Sequence, residues 1–272
     1  MKKIMLFVMA LWWCEMAWAD SAAKDKCTMD GKAIIDKQSD LHRSNYEMQE
    51  QEIVLVDVKS DVKEKRKLKQ LINNSEEGNA KILISFLEPA DIRGSAFLSW
   101  KHPDAESDQW LYLPALKKLQ RIASGSKKKY FLGTDFSFAD LDGEKTAENS
   151  YNCQKEEVCE TEKDKTCFVV EVLPKNPKFV ESSGYSKRIL HIRKDIFVTS
   201  HIKFFDEKGE LFKTLTSYEW EKVGTVFRPN KAVMDRLNTH KTYVRVSARQ
   251  LNKKIEDSVF SEKYITNEMH MK

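Results

Sequence analysis

QWLYLPALKKLQRIASGSKKKYFLGTDFSFADL, residues 109–141, is the densest aromatic and aliphatic run of the chain beyond its first nineteen residues. From Trp110 to Leu113 no polar residue alternates with the apolar ones. A strand here, stopped by Pro114, therefore presents apolar side chains on both faces of a sheet. One face belongs to a core, and the other needs a ligand or a covering lid. A second strand-like piece carries Lys117, Lys118 and Arg121, and a turn rich in Gly, Ser and Lys leads to Phe131, Phe136 and Phe138. Gly133, Asp135 and Asp140 punctuate those rings, so they read as an aromatic loop and not as a helix.

Three strings, FLEPADIRGSAFLSW (86–100), QWLYLPALKKLQRIA and FLGTDFSFADL, stand in this order and resemble the LolA-like family of periplasmic proteins, relatives of the outer-membrane lipoprotein-sorting carrier. The resemblance continues through SGYSKRILHIRKD (183–195), FFDEKGELFKTLT (204–216) and HKTYVRV (240–246). It implies a mainly β, α+β fold: a curved antiparallel sheet forming an incomplete barrel, with helices over the concave side and an apolar cavity between. The function implied is a periplasmic carrier that binds acyl chains of lipids or lipoproteins and passes them towards the outer membrane. The alternatives are an accessory of an RND-type exporter of hydrophobic molecules, or a lipoprotein sensor acting by protein interaction. Its partners are then an inner-membrane RND-type transporter or an outer-membrane receptor. All three roles use one fold, so fold alone does not separate them.

On this reading the ligand-binding candidates are Trp110, Tyr112 and Leu113 on the strand and Phe131, Phe136 and Phe138 in the loop. Lys118 and Arg121 are candidate partners for headgroups or lid carbonyls. The same aromatics also suit an ordinary barrel core, because the sequence does not say which strand face is concave.

Lys2 and Lys3 precede an apolar run, residues 4–13, and Ala17-Trp18-Ala19 places small residues where a signal peptidase reads. Residues 1–19 are expected to be a cleaved signal peptide, leaving residues 20–272 as a single exported domain in the periplasm, as a monomer. The run is too short for a membrane span, and Trp12-Trp13 before Cys14 do not suit lipidation. A formal net charge of +4 gives no overall basic excess, which with export excludes nucleic acid as a partner.

Cys27, Cys153, Cys159 and Cys167 form an even set, and in an exported chain that implies disulfides. Cys159 and Cys167 flank a polar turn and face each other if it closes a hairpin, which leaves Cys27 to pair with Cys153. Four cysteines allow three connectivities. No metal is expected there, since no histidine lies near and no finger spacing is present.

DGKAIIDKQSDLHR (30–43) reads as a helix with Ile34, Ile35, Gln38 and Leu41 on one side. Strands are expected over 46–58, 62–72, 81–86, 95–100, 168–173, 185–192, 196–205, 211–220, 223–233 and 242–251. Residues 175–184 read as a loop, 259–265 as a short helix or extended tail, and the chain after Thr266 as frayed. Lys63, Lys65, Lys67 and Lys69, at strand spacing, make a solvated face.

No nucleophile elbow, phosphate loop, H-E-x-x-H pair or dinucleotide fingerprint occurs, so physical binding without catalysis or cofactor is expected. His191 and His201 fall on neighbouring strands where opposed imidazoles could bind metal, though isolated strand histidines are more often structural. Asp135 and Asp140 could serve as acid and base, but read better as turn caps.

Overall fold

The computed structural model describes residues 27–75, 79–103, 105–237 and 239–271. The expected signal peptide and Cys14 lie outside them. The strands are β1 (Tyr46–Asp57), β2 (Lys63–Asn73), β3 (Ala80–Glu88), β4 (Ala96–Lys101), β5 (Asp108–Leu113), β6 (Lys118–Arg121), β7 (Asn149–Val158), β8 (Thr166–Pro174), β9 (Lys187–Arg193), β10 (Thr199–Phe205), β11 (Leu211–Val223), β12 (Val226–Asp235) and β13 (His240–Leu251). They form one curved, unclosed antiparallel sheet in the order β6-β5-β4-β3-β2-β1-β13-β12-β11-β10-β9-β8-β7.

That order is two meanders joined where the first strand pairs with the last, from Glu47 opposite Leu251 to Asp57 opposite His240. It has a topological consequence. β6 ends at one edge of the sheet and β7 begins at the other, so residues 122–148 must travel across the whole sheet. The aromatic loop foreseen in the sequence is this crossover.

Register identifies the face it travels on. Leu55, Thr242, Met234, Leu215, Ile202, Leu190 and Val170 are successive cross-strand partners, and such partners share a face. At one end of this inner face Phe131 and Phe138 pack on Ile53, Leu55, Leu68, Ile84, Phe86 and Phe97. At the other end helix α1 (Gly31–Leu41) lays Ile34 and Ile35 on Tyr151, Phe168, Val170, Val172, Leu190 and Ile192. Asp30 caps α1 by accepting from the backbone N–H of Lys32 and Ala33. A Cβ at Gly31 would stand 2.7 Å from the Tyr151 carbonyl oxygen, so the helix start can lie this close to β7 only as glycine. Gln38 faces inward and accepts from the Thr199 hydroxyl, whereas Leu41, expected on the same side, is exposed.

The outer face has its own cover. Leu83, Ala96, Leu98, Trp110 and Tyr112 are buried under Phe260 and Ile265 of the carboxy-terminal segment, which includes helix α3 (Glu262–Thr266). The chain after Thr266, expected to fray, docks: the Tyr112 hydroxyl donates to Glu268 at 2.9 Å, and His270 Nε2 lies 2.8 Å from the Gly94 carbonyl oxygen. Those partners are some 150 residues or more away in sequence, hence invisible to local reading.

Residues 175–184, read as a loop, contain helix α2 (Pro177–Ser183). Its signals were in the sequence: Asn176 caps it, Pro177 opens the first turn and Gly184 ends it in the left-handed conformation. Both expected disulfides form. Cys159–Cys167 bridges the β7–β8 hairpin, and Cys27–Cys153 ties the chain just before α1 to edge strand β7. Lys63, Lys65, and Lys67 are exposed on the outer face of β2. Among the described residues, no helix is long and apolar enough to cross a membrane.

Candidate functional site

The crossover is clamped to the inner face by rings and by buried charge. Leu132 and Gly133, both at positive φ, turn it back on itself, and the Phe131 N–H donates to the Phe136 carbonyl. The Phe131 and Phe138 rings sit 5.6 Å apart, each against Phe97. Ser137 and Asp140 bond reciprocally, backbone N–H to side chain at 2.7 and 3.3 Å, which is the turn role expected of Asp140. The fold adds partners from far strands. Asp140 also receives Lys213 Nζ at 2.6 Å and the Tyr185 hydroxyl at 2.6 Å. Asp135, fully buried, accepts from His240 Nδ1 and the Thr242 hydroxyl, both at 2.7 Å. Burial, reinforced by the neighbouring Asp140 charge, pushes the Tyr185 hydroxyl well above its ordinary pKa, so it remains a donor. These carboxylates fasten the loop to β11 and β13.

Beside the clamp lies a cavity of about 300 Å³. Its floor is the middle of the inner face: Val172 and Leu190, which α1 also touches, then Ile202, Phe204, Leu215 and Met234. Ile35 of α1, Phe136 and Ala139 of the crossover and Phe179 of α2 wall it. The rim is charged. Arg188 holds Glu144 in a two-pronged ion pair at 2.8 and 3.0 Å, and the Tyr151 hydroxyl donates to the same carboxylate at 2.6 Å. Burial pushes the Glu144 carboxyl up, but Arg188 outweighs it and holds the pKa below the usual value. Lys127, also on the rim, is pushed down by burial. A more polar opening of about 690 Å³, lined by His42, Arg43, Lys101 and Arg228, shares Ile35, Gln38, Glu144 and Thr199 with the cavity and so adjoins it.

The eight candidates from sequence are thus dispersed. Phe136 lines the cavity. Phe131 and Phe138 face the same side of the sheet but fill its neighbouring stretch. Trp110 and Tyr112 point to the outer face, under the carboxy-terminal segment. Leu113 is half-buried and Lys118 and Arg121 are exposed at the β5–β6 edge, where Arg121 pairs with Asp108. The floor residues were missed. Their signal was the alternation that places Ile202 with Phe204 and Leu190 with Ile192, the period of a half-buried strand.

A search of curated protein sequences finds no match. The profile of a family described as uncharacterized proteins matches residues 78–267. A domain of a proposed outer membrane lipoprotein-sorting protein from Vibrio parahaemolyticus superimposes with a TM-score of 0.80 at 26% identity, over 87% of this chain and 98% of its own. The chain belongs to the LolA-like family. A DUF1329 family protein from Desulfovibrio piger gives a TM-score of 0.80 at 23% identity, covering 86% of this LolA-like chain and 97% of the other. A LolA superfamily protein from Nitrosomonas europaea gives 0.68 at 18%, covering 87% and 100%. At those lower identities the likeness is one of fold. The curved, unclosed antiparallel sheet is thus the LolA-like fold carried by this sequence.

Proposed function

We propose that this LolA-like protein is a periplasmic carrier that takes an acyl chain of a lipid or lipoprotein onto its inner face and passes it towards the outer membrane. The observation that supports this most directly is the apolar-floored cavity beside a loop that fills the neighbouring part of the same face. A cavity of about 300 Å³ stands at the lower end of ligand pockets, roughly 300–1,000 Å³, and accepts one short chain or the end of a longer one. Each methylene withdrawn from water contributes about 0.8 kcal/mol. Longer or multiple chains need the space now filled by Phe131 and Phe138, so uptake of such cargo displaces the crossover and opposes binding. That opposition keeps release feasible when a receptor or membrane competes. Both disulfides fit an exported protein.

The test is titration of the purified protein with a dansyl-labelled fatty acid alongside thermal melting. Leu215→Trp fills the cavity and Phe136→Glu puts a charge in its wall, and each should weaken the probe by about tenfold or more while melting stays cooperative. Two well-folded variants that bind as the parent does would remove this assignment.

A further inference from the structure

We propose that His191, His201 and Glu160 form a binding site for a divalent transition metal ion, zinc first, on the outer face of β9 and β10. This site is independent of the acyl cavity, which lies on the opposite face.

The register makes His191 and His201 direct cross-strand partners on antiparallel neighbours, their ring centroids 5.5 Å apart. Both are withdrawn from water, at 2% and 6% exposure. Each keeps a buried ring nitrogen with no hydrogen-bond partner, Nδ1 of His191 and Nε2 of His201. A buried polar nitrogen without a partner is unfavourable, and an apolar pair at these positions would avoid it. The unpartnered Nε2 of His201 is the donor this pair offers a metal ion; His191 offers Nε2, the nitrogen facing Glu160, and leaves Nδ1 towards Glu157. His201 is already oriented: its Nδ1 lies 2.8 Å from the Thr216 hydroxyl, and with Nδ1–H donating there Nε2 presents a lone pair.

Carboxylates lie within reach. Glu160 Oε2 is 3.6 Å from His191 Nε2, and Glu157 Oε1 is 4.0 Å from His191 Nδ1. Glu160 directly follows Cys159, whose bridge to Cys167 holds the turn over β8 and beside β9. Two imidazoles and a carboxylate suit zinc, copper or nickel, whereas calcium and magnesium require oxygen donors.

Among the described residues no three such donors yet converge on one point. One of the donors, Glu160, is paired with Lys203. Its ammonium lies 2.5 Å from Glu160 Oε2, and the paired side chains, 27% and 44% exposed, have room to part. The lysine supplies the positive charge that a metal ion would replace, so loading the site means moving Lys203 out.

The experiment is competition between the purified untagged protein and a chromophoric zinc chelator near neutral pH, with magnesium as a control. Expected is one zinc per chain, weakened about tenfold or more by His201→Gln and by Glu160→Gln. Lys203→Ala should tighten it several-fold, since the competing cation is gone; a purely structural histidine pair predicts no such gain. His102→Gln, at a half-buried histidine beside Asp108 in the other half of the sheet, should change nothing. Glu160 and Lys203 are partly exposed, so their variants remain informative even if His201→Gln fails to fold. Absence of zinc binding by the parent, or binding that Glu160→Gln and Lys203→Ala leave unchanged, overturns the proposal.

Discussion

Lys213 Nζ lies 2.6 Å from Asp140 Oδ2, and the two side chains are 1% and 6% exposed. The pair joins β11 to the crossover, so the loop is held by a charge interaction sealed from water. Removing one partner leaves the other charge buried alone, and Lys213→Met should lower stability by about 3–5 kcal/mol. Lys213→Met with Asp140→Leu should recover a substantial part of that. Urea unfolding of the three proteins measures both; a double variant no more stable than the single one contradicts the account.

The two disulfides close loops of very different length, with sequence separations of 126 and 8. On the chain-entropy estimate they contribute about 5 and about 2.5 kcal/mol respectively. Replacing Cys27 and Cys153 by serine should therefore lower the melting temperature more than replacing Cys159 and Cys167. The reverse order in calorimetry would show that native-state packing around the hairpin, and not chain entropy, dominates.

Tyr112 and Phe136, both drawn from one stretch of sequence, should respond differently to the same change. Tyr112 is 2% exposed beneath the carboxy-terminal segment, so Tyr112→Glu buries a charge and should abolish cooperative folding. Phe136 is only half-buried in the cavity wall, and Phe136→Glu should fold. Circular dichroism melts of the two variants decide this.

Phe260, 1% exposed, anchors that segment, and its carbonyl accepts from Trp100 Nε1 at 2.7 Å. Phe260→Ala should cost about 3–5 kcal/mol. A loss below about 1 kcal/mol in urea unfolding would mean the segment docks only weakly.

The Arg188–Glu144 pair predicts an acid limb of stability. Glu144 titrates lower in the folded protein than its ordinary value of 4.5, so below that value the unfolded chain binds more protons than the folded one. The pair's contribution is complete above about pH 4.5 and disappears as pH falls through the depressed value. The stability gap between the parent and Glu144→Gln should hence be wide near neutrality and close in acid. A gap that stays constant down to about pH 3 is the contrary result.

Local chemistry alone made much of this protein legible. The β-rich runs, the Asp30 cap, the doubly apolar strand at Trp110–Leu113, the hairpin cysteines and the lysine face of β2 depend on near neighbours and on the period of a strand, and each has its place in the structure. The carboxy-terminal docking, the cavity floor and the partners of Asp135 and Asp140 depend on residues tens to hundreds of positions apart. So does the His191–His201 contact, which needed strand register as well as strand assignment, because a slip of one residue would send one imidazole to the inner face. The sequence by itself determined most of the strands, though not β7, and that the stretch ending at Leu141 carries an aromatic loop; pairing β1 with β13 placed β6 and β7 at opposite edges and forced that loop across the inner face, since a chain joining two edges has no shorter way than over the sheet.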